Sequence, residues 1–195
     1  MSDSDSRIQI ISLGGLGEIG KNMTVIRYQD CILVIDAGLM FPEDELLGID
    51  VVIPDITYLL ENKEKVKAVL LTHGHEDHVG ALPYLLKELD VPVYGSRLTL
   101  GIVEGKLKEH DLSDKNLHVV KPRDILKLGP FEVEFLRVSH SIPDSMGIAV
   151  HSPLGIILHT GDIKLDQTPV DGQVVDFRKL AEIGEKGVLV MMGDS

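Results

Sequence analysis

The stretch Ala68-Val69-Leu70-Leu71-Thr72-His73-Gly74-His75-Glu76-Asp77-His78 runs from an apolar segment into three imidazoles and the Asp77 carboxylate. A strand that ends in such a cluster delivers several borderline and hard ligands to one point, which a divalent metal site requires. His73 and His75 are two apart, so in extended chain they point to the same side. Asp77 and His78 follow as the chain turns into a helix. The cluster therefore divides into two ligand sets: His73 and His75 for one ion, Asp77 and His78 for its neighbour. Thr72 is placed to hydrogen-bond locally and orient the loop.

Two further residues extend the set. His140 lies in Ser139-His140-Ser141, just after the strand-like run Phe131–Val138. Asp162 closes Ile156-Ile157-Leu158-His159-Thr160-Gly161, where Gly161 permits close backbone approach. A carboxylate between two metals can bridge them. Asp36 ends Ile32–Ile35 in the same way and is expected to orient the ligand loop from behind. His110, His118, His151 and His159 lack such company and are expected at the surface or satisfied in the core. A pair of metals can share a hydroxide whose pKa is lowered towards neutrality, so hydrolysis at carbon or phosphorus is the reaction these residues favour. Asp77 and Asp162 would serve catalysis through the ions they hold.

Outward from the cluster, Ile8–Leu13, Met23–Tyr28 and Ile32–Ile35 read as strands, with a tight turn at Gln29-Asp30. An acidic loop follows from Ala37 to Val52, and a short helix is expected from Ile53-Pro54-Asp55 to Asn62. Val79, Leu82, Leu85, Leu86 and Leu89 recur at helical spacing, which predicts one helix from within the cluster to Leu89. Strands at Val91–Tyr94, Leu117–Val120, Ile125–Leu128, Phe131–Val138, Gly147–His151, Gly155–His159 and Val188–Met192 are joined by helices over Arg97–Glu109 and Phe177–Gly184. Hairpins before and after central βα units predict a mixed-sheet α/β sandwich, not an alternating doubly wound sheet.

The 195 residues suffice for one domain, and 44% hydrophobic content with 19 glycines suits a globular α/β chain. Apolar runs such as Gly187–Met192 are strand-sized, too short to span a bilayer. The polar start, Met1-Ser2-Asp3-Ser4-Asp5-Ser6, is no secretory signal; residues 1–6 are expected to be a disordered lead-in. The single cysteine, Cys31, cannot form an internal disulfide and is expected as a buried core thiol. A cytoplasmic enzyme fits these features. The net charge of −12 argues against a broad nucleic-acid surface. Arg97, Lys106, Lys108, Lys115, Lys121, Arg123 and Lys127 cluster in sequence, and solvated helix and loop faces are the default reading for them.

Gly15-Leu16-Gly17-Glu18-Ile19-Gly20 matches a GxGxxG dinucleotide fingerprint, and Asp36 stands about where a ribose-binding acid would. That motif needs a helix after the glycines, whereas Met23–Tyr28 reads as a strand. A tight loop near the metal site is the expectation instead.

Taken together, Asp36, the H-x-H-x-D-H run His73–His78, His140 and Asp162 resemble the four motifs of the metallo-β-lactamase superfamily. Leu13–Met23, Phe41-Pro42-Glu43-Asp44-Glu45, Gly48-Ile49-Asp50 and His159-Thr160-Gly161-Asp162 more narrowly resemble the ribonuclease J family of its β-CASP branch. The resemblance implies a four-layer αββα fold and a dinuclear centre, with zinc expected and manganese as the other candidate. His73, His75 and His140 would hold one ion, Asp77 and His78 the other, with Asp162 bridging. It further implies RNA degradation and maturation by 5′-to-3′ exonuclease and endonuclease action, a preference for 5′-monophosphorylated RNA, and a homo-oligomer without membrane attachment. Asp194 is similar to the acidic first motif of the β-CASP domain and is expected near the site. On this reading residues 7–192 are the first part of a lactamase domain, residues 193–195 begin a junction to a β-CASP insert, and the chain is a fragment. The rivals are a thioester or lactone hydrolase of the same fold and a metal-binding piece without activity.

Overall fold

A computed structural model describes residues 7–42 and 48–193. Strands β1 (Ile8–Gly14), β2 (Met23–Tyr28), β3 (Cys31–Ile35), β4 (Val66–Leu70), β5 (Val93–Gly95) and β6 (Leu117–Val119) form one sheet in sequence order. The first three pair antiparallel, and β3 through β6 run parallel. Strands β7 (Ile125–Leu128), β8 (Phe131–Arg137), β9 (Met146–Ser152), β10 (Gly155–His159) and β11 (Val188–Met192) form the second, ordered β11-β10-β9-β8-β7. Only β11 is parallel to its neighbour there. Helices are α1 (Thr57–Glu61), α2 (Glu76–Val79), α3 (Leu82–Glu88), α4 (Arg97–Glu109) and α5 (Phe177–Lys186).

Side-chain alternation along the strands assigns the layers. In β3, Ile32 and Val34 face Leu59, Leu82, Leu85 and Val103 of the helices. Leu33 and Ile35, one step out of phase, meet Phe131, Phe135, Ile148 and Ile157 of the second sheet. All five residues of β3 are buried, as expected of a strand covered on both faces. On the far side of the second sheet, Leu136, Ala149 and Leu158 pack against Ile183 of α5. The result is the four-layer αββα sandwich. Each fully buried Leu, Ile or Phe side chain contributes about 1.5–3 kcal/mol through burial, so the filling between the sheets is what holds the two halves of the site in register.

The cluster-bearing segment departs from the single helix expected up to Leu89: it forms two, α2 and α3, divided at Gly80-Ala81. Tertiary hydrogen bonds break the helical ladder. The Asp77 carbonyl accepts the Asn22 N–H at 3.0 Å, and Ala81 donates to the Ala37 carbonyl at 2.8 Å. Pro83, in the first turn of α3, has no N–H to extend the earlier helix. The first helix is also shorter than expected, because Asp55 Oδ1 accepts the Thr57 N–H in a turn that delays its start. After the glycines comes β2, paired antiparallel with β1, so the dinucleotide reading lacks its helix. Cys31 is buried with a free thiol. Among the described residues no helix is long and apolar enough to cross a membrane. The lead-in at residues 1–6, Glu43-Asp44-Glu45 of the acidic loop, and Asp194 lie outside the described residues.

Candidate metal centre

The centre forms where strand ends of both sheets meet. β4 delivers Thr72 and His73 just past its end, the loop brings His75, and the first turn of α2 carries Asp77 and His78. From the second sheet come His140, on the β8–β9 turn, and Asp162, just beyond β10. Met146 donates its N–H to the Thr72 carbonyl at 2.9 Å, tying the two edges together.

Two groups of donor atoms result, each lying within 4.8 Å of one another: His73, His75, His140 and Asp162, and Asp77, His78 and Asp162. In the first, His75 Nδ1 is 3.0 Å from His73 Nε2 and 3.3 Å from His140 Nε2. Asp162 spans both groups. Its Oδ2 lies 3.4 Å from His140 Nε2, and its Oδ1 lies 3.3 Å from His78 Nε2. Asp77 Oδ2 is 3.6 Å from the same His78 nitrogen. Imidazole nitrogens with carboxylate oxygens are a donor set suited to zinc or manganese.

Behind these groups Asp36 adopts a left-handed backbone (φ 60) and is 1% exposed. Its Oδ1 accepts the Thr72 N–H at 2.8 Å, its Oδ2 accepts the Thr72 hydroxyl at 2.7 Å, and His78 Nδ1 lies 2.8 Å from Oδ2. Thr72 Oγ1 is 3.0 Å from His73 Nδ1, so one threonine links the carboxylate to both halves of the cluster.

Burial, reinforced by the charge on His78, pushes the His73 imidazole down to about 3, which keeps it in the neutral form that ligates metal. Burial also disfavours the His78 imidazolium, but the Asp36 and Asp162 carboxylates outweigh it and raise that ring to about 10. An ion bound through His78 Nε2 would displace that proton. Burial alone would raise the Asp162 carboxyl; the hydrogen bond and charge of His78 win and lower it to about 2.

All of His73, His75, Asp77, His78, His140, Asp162 and Asp36 thus meet at one place. His110, His118 and His151 lie elsewhere: beside Lys87, stacked on Tyr94 at 5.2 Å, and 3.4 Å from Glu134. His159 is largely enclosed and hydrogen-bonded, as expected of a satisfied core histidine, and it also borders the site. As the last residue of β10 it lines the same hollow as Asp36, Asp77, His78 and Asp162, and its Nδ1 accepts the Gly161 N–H at 3.0 Å. Its position three residues before Asp162 at a strand end was the available signal. Asn22 is a contributor that sequence reasoning passes over. Its Nδ2 lies 3.3 Å from Asp77 Oδ2 and 3.1 Å from His78 Nε2. The glycine loop borders this hollow of about 690 Å³, with Gly15, Gly17 and Gly20 all at positive φ.

The family model of the metallo-beta-lactamase superfamily matches residues 16–179. Over 191 residues the chain is 51% identical to ribonuclease J of Synechocystis sp., covering 96% of this chain and 30% of that protein. It is 50% identical over 196 residues to ribonuclease J of Thermus thermophilus, covering 96% of this chain and 34% of that protein. The chain therefore spans about a third of the length of these curated relatives. Yeast PDE1 superposes with a TM-score of 0.67 at 13% identity, covering 94% of this chain and 74% of that one. Zn(2+)-bound PqqB from Methylobacterium extorquens gives 0.61 at 14%, covering 89% and 60%. At such identities the likeness is one of fold.

Proposed function

The chain belongs to the metallo-beta-lactamase superfamily, and from that premise we propose that it carries the metal centre of an enzyme that hydrolyses RNA phosphodiesters. The observation that carries the substrate class is the identity of about half to two ribonucleases J across 96% of the chain. Fold and donor set support divalent metal binding, and we assign two ions, zinc or manganese, to the two groups. His73, His75 and His140 would hold one ion, Asp77 and His78 the other, and Asp162 would bridge through its two oxygens. When bound, such ions supply Lewis acidity to the phosphoryl oxygens and lower the pKa of water at the site.

The chain's own residues then have distinct tasks. Asp162 fixes the spacing of the two groups, because one carboxylate oxygen faces each. Asp36 and Thr72 orient the His78 and His73 rings from behind. Asn22 holds the Asp77 carboxylate toward His78. His159 fills the adjoining wall.

Both 5′-to-3′ exonuclease and endonuclease action, a preference for 5′-monophosphate ends, and homo-oligomeric assembly belong to this proposal, which extends them from the resemblance to ribonucleases J. A cytoplasmic location belongs to the same proposal. The test is cleavage of 5′-labelled, monophosphorylated RNA by the full-length protein with zinc or manganese. The expected result is release of the labelled nucleotide and of internal fragments, abolished by a chelator. Hydrolysis of thioesters or lactones with RNA left intact would overturn it.

A further inference from the structure

Most cations on this acidic chain face a carboxylate: Lys65 meets Asp30, Lys108 meets Glu104 and Arg123 meets Asp176. Arg97, Lys121 and Arg137 are different. They line one cleft of about 590 Å³ between the start of α4 and the end of β8, and none is within ion-pair distance of a carboxylate among the described residues. Asp144 and Asp171 line the same cleft without pairing to them. The cleft is not isolated. Val138, Asp144 and Asp171 also line a smaller hollow that contains His140 of the metal centre. Shared walls therefore set Arg97, Lys121 and Arg137 beside the hollow that contains His140.

We propose that this cleft is a second nucleotide subsite, which holds a phosphate and ribose of single-stranded RNA beyond the scissile bond. The inference rests on the ribonuclease reading of the metal centre. Three cations in a concave site match the phosphate charge, and carboxylates beside them can accept hydrogen bonds from a 2′-hydroxyl or a base amino group. The volume falls within the roughly 300–1,000 Å³ of small-ligand sites. With a net charge of −12 the whole chain repels RNA, so attraction has to come from a local cluster of this kind. The adjoining turn, Ser139 to Ser145, supplies His140 to the centre and Asp144 to the cleft, so the two sites share one short segment.

The experiment uses the full-length protein with the double variant Arg97→Gln/Lys121→Gln, both exposed side chains, its two single variants, and Lys127→Gln as a control for each single charge change, placed outside the cleft. Binding of a fluorescein-labelled single-stranded RNA is followed by anisotropy over a salt series, alongside hydrolysis of bis(p-nitrophenyl) phosphate, which is too short to reach the cleft. For the double variant, Kd is expected to rise at least about tenfold and the slope against log salt to fall by about 1 to 1.5. Ester hydrolysis stays at the wild-type rate, and Lys127→Gln leaves every value unchanged. An unaltered Kd and slope in the double variant, or a loss in Lys127→Gln equal to that of either single variant, overturns the subsite while leaving the ribonuclease reading intact. Wild-type protein that hydrolyses the small diester yet neither binds nor cuts RNA overturns both.

Discussion

His78 Nδ1 sits 2.8 Å from Asp36 Oδ2, and this contact turns the other ring nitrogen toward Asp162 and Asp77. A buried carboxylate thus fixes the direction of an imidazole whose opposite edge faces the candidate metal centre. Asp36→Asn keeps the shape and tolerates the left-handed backbone at φ 60, but no longer polarises the ring. Metal affinity at the Asp77–His78 group should fall by about 10–100-fold while the fold persists. Isothermal titration with zinc, paired with circular dichroism, reads both; unchanged affinity would remove Asp36 from this role.

The approach of Gly38 to α2 is close. A Cβ there would lie 1.5 Å from the Asp77 carbonyl oxygen, a backbone atom that cannot swing aside. Gly38→Ala should therefore displace α2 and destabilise the chain by about 1–3 kcal/mol. Urea unfolding checks the cost, and a variant of wild-type stability would show that the helix shifts freely.

Asp176 accepts the Lys179 N–H at the start of α5 and pairs with Arg123, and its carboxyl is held below the ordinary value of 3.8 chiefly by the hydrogen bond from Arg123. A carboxyl lowered on folding stabilises above its unfolded pKa, and that stability is lost as pH falls through the folded value. Asp176→Ala should cost about 1 kcal/mol at neutral pH through the lost cap. The gap to wild type should close as acid protonates the carboxyl, at a pH below 3.8. Unfolding at both pH values tests it, and a gap that widens in acid would contradict the sign.

Much of the centre was legible because its chemistry is local in sequence. His73, His75, Asp77 and His78 sit within six positions, and strand ends named Asp36 and Asp162. The mixed-sheet sandwich was legible from hairpins flanking the central βα units, and the αββα layering from the resemblance to the superfamily; the burial of all of Cys31–Ile35 agrees with it. The break between α2 and α3 was not legible, since it depends on hydrogen bonds from Asn22 and to Ala37 across long sequence separations. Asn22 escaped for the same reason, and so did the place of His159 beside the centre: their neighbours are set by how β1, β2 and β10 meet α2, not by spacing. The cations at Arg97 and Lys121 read as solvated surface, and only the fold shows that Arg137 joins them in one cleft.

The most direct test of the central claim is the number of metal ions held per chain, measured by elemental analysis after exhaustive dialysis against zinc. The two groups predict two ions in the wild type, one in Asp77→Ala and one in His75→Ala, with the fold retained in each. A single ion in the wild type, or two ions in either variant, would contradict the dinuclear centre on which this account stands.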